Sequence, residues 1–396
     1  MNTVQPAEGP ELQRIRFGDL EGVTVTYGVV NTERFDNHGI PMLQVQNITG
    51  NRIQPAVTMR IGPDVHRKHL RTELRSGDLA LVLVGRVGEL ALVTEEFAGW
   101  NVSRGIAVIR CERSEPCHLL DWLRYCFAAP SMREWFAAQA RRSAQPTLSL
   151  ESLRGCEVPV PSTVEQARYV ELFEHMERRA AASLEAATIH LGVADALFEQ
   201  WVHEVGTSQV ALRELCQTVT GSRPDRPKTS QSQKTLKAPT YTVRPEWVLN
   251  ARSPCADPRG PHAVEVWSRG APGQLIIATK KGTAQVLLDL TDTMTAARGT
   301  LAVRVSDVRD QWWLLHELRS RRAELCALAR GSREPSARAL GTLRIRWPEP
   351  EVRHAFASLA ALLHERAIVA LEDHDDMGQL IGLTVERIIR SRTPSP

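Results

Sequence analysis

The 396-residue chain has no CxxC pair, and none of its seven cysteines stands near a histidine at metal-ligand spacing. Cys111 and Cys117 are six apart, which fits no zinc site. The expectation is therefore no metal, no disulfide framework, and reduced thiols in a cytoplasmic protein. The opening residues, MNTVQPAEGPELQRIRFGDL, lack an apolar h-region, and no unbroken 18-residue apolar run is present. A secreted or membrane-spanning chain is excluded on that reading, and the sequons at Asn47 and Asn101 become chance matches. Net charge is only +3, from 49 basic and 46 acidic residues. An anionic partner must then be met by local patches, because no global field would steer it.

Catalytic signatures are missing as well. A nucleotide-hydrolysing P-loop needs GxxxxGK[ST], so that backbone N–H groups and a lysine cradle phosphates; the chain has none. HExxH, GxSxG, an Asp/Asn-Pro-Pro-aromatic loop and a carboxylate–lysine nuclease cluster are all absent. The chain reads as a non-enzyme that needs no cofactor. Ordinary proportions of hydrophobic (42%) and charged (24%) residues leave room for large cores in two or three domains.

What is present is organised around residues 158–205. Pro159 and Pro161 close the preceding segment, and the next proline is Pro224. Between them, apolar residues recur every three or four positions: Phe173, Met176, Ala180, Leu184, Ala187, Leu191, Ala194, Phe198, Trp201 and Val205. That spacing predicts one face of a single helix, and at 1.5 Å per residue forty-odd residues span roughly 60 Å. Such a stripe needs a partner helix. Residues 350–388 supply it, with Val352, Phe356, Leu359, Leu363, Ala367, Ala370, His374, Met377, Ile381, Thr384 and Ile388 as the seam. His374 reads as a core histidine there.

The rest of the chain repeats itself. GDLALVLVGRVGELALV (77–93) reads as a buried hairpin, and GQLIIATKKGTAQVLLDL (273–290) matches it, Gly282 falling on Gly85. ARGTLAVRV matches SRGIAVIR with Arg298-Gly299 over Arg104-Gly105, and LLHELR (314–319) matches LLDWLR (119–124). Leu153, Val158 and Pro161 match Leu340, Ile345 and Pro348. Four blocks in one order predict an internal duplication. The fold class is α+β, with duplicated globules at 1–157 and 207–348 and long helices at 158–206 and 349–396, paired antiparallel. The tract SRPDRPKTSQSQKTLKAP (222–239) carries Arg223, Arg226, Lys228, Lys234 and Lys237 against Asp225 and reads as a linker.

These residues resemble the DNA-specificity subunit of type I restriction–modification systems. PVPSTVEQ (159–166) looks like that family's proline-rich approach to its helix. GIPMLQVQNI (39–48) looks like its first-domain strand, GDLALVLVGRVG is similar to its central hairpin, and ALRELCQTVTG (211–221) resembles the start of a second recognition domain. The resemblance covers nearly the whole chain and rests on the order of individually weak motifs. It implies two target-recognition domains that bind a bipartite double-stranded DNA site. It also implies two adenine-N6 methyltransferase subunits as partners, and a restriction translocase as a further one. Two departures stand out: the second half shows no counterpart of GIPMLQVQNI, and Val352-Arg353 replaces Glu165-Gln166.

DNA recognition takes Arg or Lys on phosphates and Arg, Lys, Asn or Gln on base edges. Candidates in the first half are Asn47, Asn51, Arg52, Arg67, Lys68, Arg71, Arg86 and Arg104; in the second, Lys280, Lys281 and Arg298. The plain alternative for each is a solvated surface charge. Arg86 and Lys280-Lys281 stand above the others because they occupy matched hairpins. Two other readings remain open: an adaptor in another anti-phage complex whose second domain binds protein, and an unrecognised enzyme.

Overall fold

The computed structural model describes residues 12–29, 35–54, 59–112, 118–140, 146–221, 241–249, 251–253, 255–256, 274–280, 282–289, 294–328 and 336–390. The chain divides into two units, 1–179 with 376–396, and 180–375. The unit boundaries fall inside the two long helices.

In the first unit, β1 (Gln13–Arg16) pairs antiparallel with β11 (Glu157–Val160), bringing the first described strand against the approach to the helix. Four strands form the main sheet in the order β2 (Val23–Tyr27), β10 (Ile106–Cys111), β7 (Leu79–Val82), β8 (Leu90–Leu92), all neighbours antiparallel. A second sheet joins β3 (Phe35–Leu43) to β6 (Met59–Ile61) on one side and, in parallel, to β9 (Asn101–Val102) on the other. A small ribbon pairs β4 (Ile48–Thr49) with β5 (Arg52–Ile53). The β7–β8 hairpin is apolar on both faces because it is buried on both. Helices α1 (Pro63–Lys68), α2 (Leu119–Ala128), α3 (Pro130–Ala140) and α4 (Leu150–Arg154) follow, with Pro130 as the first residue of α3, where its missing N–H costs nothing.

The long helix α5 runs from Thr163 to Glu204 without interruption. Its start is a capping box: Glu165 accepts from Ser162 N–H and Oγ–H, and Ser162 Oγ accepts from the Glu165 N–H. The first turns bury Val170 and Phe173 in the unit core with Phe17, Leu79, Trp122, Phe127 and Phe136. Val385, Ile388 and Ile389, from the end of the chain's last helix, complete the same core.

The second unit repeats this plan. β12 (Ser208–Ala211) pairs antiparallel with β20 (Arg344–Trp347), as β1 does with β11. The sheet order is β13 (Cys216–Thr220), β19 (Thr300–Val305), β16 (Gln274–Lys280), β17 (Thr283–Asp289), with β15 (Cys255–Ala256) added in parallel. Around it lie α6 (Leu212–Leu215), α7 (Pro245–Leu249), α8 (Asp310–Ser320), α9 (Arg322–Leu328), α10 (Ala337–Gly341) and the last helix α11 (Pro350–Arg390). β13, β19, β16 and β17 thus stand in the order of β2, β10, β7 and β8. The repetition reaches single atoms. A Cβ on Gly28 would sit 2.0 Å from the Val102 carbonyl oxygen, and one on Gly221 would sit 1.9 Å from that of Ala297. Trp122 Nε1 donates to the Pro159 carbonyl at 2.7 Å, and Trp313 Nε1 to that of Arg346 at 2.8 Å.

Two expectations change. The tryptophans are the fourth residues of α2 and α8, so Leu119 corresponds to Asp310 and not to Leu314; the LLDWLR–LLHELR match is displaced by one helical turn. The second half also has its counterpart strand. β14 (Tyr241–Val243) runs parallel to β18 (Met294–Ala296), as Met42-Leu43 of β3 runs parallel to β9. Val243 and Leu43 are both buried. The replacement Gln166→Arg353 is accommodated in kind. Gln166 Nε2 donates to the Pro161 carbonyl at 2.8 Å. Arg353 donates to the Pro348 carbonyl and also pairs with buried Asp310, Nε to Oδ1 at 2.7 Å.

Along the helices, Phe173, Ala180, Ala187 and Ala194 are buried at intervals of seven, as are Ala360 and Ala367. A seven-residue repeat is the coiled-coil pattern. Within the second unit the pairing is antiparallel: His374 Nδ1 meets the Ala180 carbonyl at 2.8 Å, Ser183 Oγ meets Asp373 at 2.6 Å, and Phe198 packs on Phe356. Leu184, Leu191, Met176, Leu363, Met377 and Ile381 are half-buried flanks of the seam. Leu359, expected in the seam, points outward at 43% exposure; Ala360 and His364 take the inner face instead. Each long helix also contains an 18-residue stretch long and apolar enough to cross a membrane by length and composition, which the search for unbroken apolar runs passed over. Of these stretches 17% is buried on α5 and 28% on α11, and Ala187, Ala194, Ala360 and Ala367 are among the buried residues of the two helices.

Candidate nucleic-acid interface

In the first unit an open cavity of about 930 Å³ is lined by Tyr27, Gln44, Val45, Gln46, Ser103, Arg104 and Thr147, over a floor that includes Val29, Met42 and Met59. β2 supplies Tyr27, which is 45% exposed, and the turn between β9 and β10 supplies Ser103 and Arg104. That turn is held by Ile106 N donating to the Ser103 carbonyl and Arg104 N to that of Val29, both at 3.0 Å. It leaves the Arg104 side chain exposed.

The segment after β3 carries Gln44 and Gln46 and is fixed from two sides. Buried Asn47 accepts from Gln44 N–H at 2.9 Å and donates to the Gln54 carbonyl at 3.3 Å. Arg86, at the tip of the β7–β8 hairpin, donates to the carbonyls of Val45 and Ile48 at 3.0 and 2.7 Å and to Thr49 Oγ1 at 3.1 Å. Both were expected to face DNA. They are occupied in holding this loop, each through hydrogen bonds to its backbone groups.

The other first-unit candidates lie outward. Arg52 is exposed on β5, and Asn51 takes a left-handed φ of 60° at the ribbon turn, within 3.5 Å of Arg133. Arg67, Lys68 and Arg71 are exposed along α1 and the turn after it, Arg67 pairing with Asp64. That segment is anchored from beneath by buried Asn101, which accepts from Thr72 Oγ1 at 2.8 Å and donates to the His69 carbonyl at 3.1 Å. Further inside, Arg110 donates to Asp78 through Nε and Nη2 at 2.8 and 2.6 Å. The Asp78 hydrogen bonds hold this guanidinium above its ordinary pKa.

In the second unit Arg298 is exposed on the turn equivalent to that of Arg104. Arg244 is exposed directly after β14, at the position of Gln44. β16 and β17 pair out to Lys280 and Thr283, with Gly282 at φ +85°, so this hairpin is tighter than the one bearing Arg86. Lys281 and the basic tract from Arg223 to Lys237 lie outside the described residues. Sequence reasoning missed Gln44 and Gln46. They lie inside the quoted strand motif, and their signal was a pair of amides two residues apart just before the loop.

Among the described residues no cluster of His, Cys, Asp and Glu suits a metal ion. Burial pushes the Cys156 thiol up to about 12 and the Cys126 thiol upward too, so neither is a ready nucleophile.

The comparisons with known proteins agree with this architecture. No family model matches the chain. Over 152 residues it is 28% identical to the Escherichia coli protein described as "Type I restriction enzyme EcoBI specificity subunit", covering 38% of this chain and 31% of that protein. The match therefore spans about a third of the relative's length. The crystal structure of the type I restriction–modification S subunit from M. genitalium superposes with a TM-score of 0.55 at 11% identity, over 98% of this chain and 99% of that one. The chain has the fold of a type I specificity subunit. The likeness read from the sequence holds in both comparisons, and the two globules with long helices belong to that fold.

Proposed function

We propose that this chain is the non-catalytic specificity subunit of a type I restriction–modification assembly. It grips double-stranded DNA with both units and directs an adenine-N6 methyltransferase, with a restriction translocase as a further partner, to a bipartite site. The observation that carries the reading is the repetition: one strand order in two units, each followed by a long helix. Both units place an arginine on the same exposed turn, Arg104 and Arg298. Two continuous helices of 42 and 41 residues supply a fixed length of about 60 Å each, enough to set an unread gap between half-sites.

Two methyltransferase subunits would dock on the outward apolar side chains of these helices, Leu172, Ile189 and Val193 on α5 and Leu362, Val369 and Leu383 on α11, all more than 40% exposed. The adaptor reading rests on an altered second domain; β14 supplies the strand, and the altered helix approach at Val352-Arg353 stays in its favour. Mapping methylated adenines in cells with and without the gene tests the proposal. A bipartite motif that vanishes on deletion is expected. A methylation pattern indifferent to the gene, or purified complex with no sequence-selective DNA retention, rejects it.

A further inference from the structure

The cavity beside Arg104 has a property that general DNA affinity does not require. Among the described residues its lining includes no carboxylate, so none of them opposes the charge on Arg104. Arg104 has no hydrogen-bond partner among the described residues. Gln46 Nε2 donates to Gln44 Oε1 at 3.0 Å, which leaves the Gln46 carbonyl oxygen and one N–H uncommitted. Gln44 Nε2 points at the Met59 sulfur, a weak acceptor that a base edge would displace. The loop that carries both amides is stiff, clamped by Arg86 and Asn47. Beneath it Gly105 leaves no room for a side chain, since its Cβ would meet Val45 Cγ2 at 2.7 Å. Spare donors and acceptors on a rigid mount are what a reading site needs, because geometry is set before binding and little ordering cost remains.

We propose that Gln44, Gln46 and Arg104 read base edges in one half-site, with Gln46 selecting an adenine and Arg104 a guanine. This rests on the functional reading above and specifies its first-unit site. An amide offers one donor and one acceptor side by side, matching adenine N6 and N7; a guanidinium offers two donors, matching guanine O6 and N7. The exposed cations Arg67, Lys68 and Arg71 belong to phosphate positioning, which carries no base preference.

The test uses the complete complex, this chain with its methyltransferase partners, and selection from randomised duplexes followed by sequencing. Arg104→Ala is expected to lower preference at one base position by about 5- to 150-fold, the range for losing one bidentate contact. Gln46→Glu, which exchanges the amide donors for an acceptor, is expected to move preference at a single position from adenine towards cytosine. A misfolded variant cannot produce a new preference, so this outcome separates reading from folding. Weaker binding to all sequences with an unchanged motif in both variants overturns the assignment while leaving the functional reading intact. Absence of any motif with the unaltered complex overturns both.

Discussion

Replacing Arg353 by glutamine gives the second unit the residue that the first unit has at Gln166. The glutamine still reaches the Pro348 carbonyl, but the Asp310 carboxylate, 12% exposed, loses its guanidinium. Breaking a buried pair by removing one partner costs about 3–5 kcal/mol. Asp310 is the first residue of α8 and has His354 Nε2 at 3.6 Å, so the helix dipole and that imidazole return about 1 kcal/mol. The expected destabilisation of Arg353→Gln is therefore about 2–4 kcal/mol. Asp310→Leu strands the guanidinium in turn, leaving it the Pro348 carbonyl and the Trp347 ring at 4.4 Å, and should cost about the same, ~2–4 kcal/mol. The double variant reproduces the Leu119/Gln166 arrangement and should lie within about 1 kcal/mol of the natural protein, a coupling of roughly 3 kcal/mol or more. Urea unfolding followed by tryptophan fluorescence reads this directly, since the Trp347 ring lies against the Arg353 guanidinium. Additive single-variant costs would refute both the Asp310–Leu119 correspondence and the compensation argued from it.

Acid should loosen the second unit. His316 Nδ1 donates to Asp195 at 2.8 Å and His316 Nε2 meets His364 Nε2 at 3.0 Å, with Arg319 on the other Asp195 oxygen and Glu199 nearby. Burial holds both imidazoles below their ordinary value. The folded pKa is the lower one, so the stability these histidines lend is complete above the unfolded value of about 6.5 and is lost as pH falls below it. The urea midpoint should drop between about pH 6.5 and 5, and His364→Gln should flatten that slope; an unchanged slope would dismiss the pair as its source. Gly28→Ala should cost well over 1 kcal/mol, because its methyl would meet a backbone carbonyl and not a flexible side chain; a neutral result by calorimetry would contradict the close approach. Arg86→Met should broaden base preference in the first half-site and leave the salt dependence of binding as steep as before, as loss of a loop clamp would; a shallower salt dependence with an unchanged motif would make Arg86 a phosphate contact instead.

Much of this architecture was legible in the residues. The apolar runs on either side of Gly85 and Gly282 announced the hairpins, and the three- and four-residue spacing announced both long helices, because burial on one face leaves a periodic trace. The second-half strand was invisible, since Tyr241–Val243 is only three residues long, too short to show a two-residue alternation. Leu359 was misplaced because at 3.6 residues per turn a position three along from Phe356 can drift to the outer side, where Ala360 takes the inner one. The site was less legible than the fold. Arg86 and Asn47 have the residue types that bind DNA, but the fold brings loop carbonyls within their reach, and no sequence pattern reports that. Gln44 and Gln46 were hidden for the opposite reason: polar residues inside a strand motif look like its solvent face.

The proposed ruler between half-sites is tested most directly by lengthening it. Seven residues inserted into each long helix at the unit boundaries, between Arg179 and Ala180 and between Asp375 and Asp376, keep the seam in phase. They add about 10 Å, or roughly three base pairs of duplex. Maps of methylated adenines from cells carrying the lengthened chain should show both half-site sequences unchanged and the gap between them wider by about three base pairs. An unchanged gap with methylation intact would contradict the account.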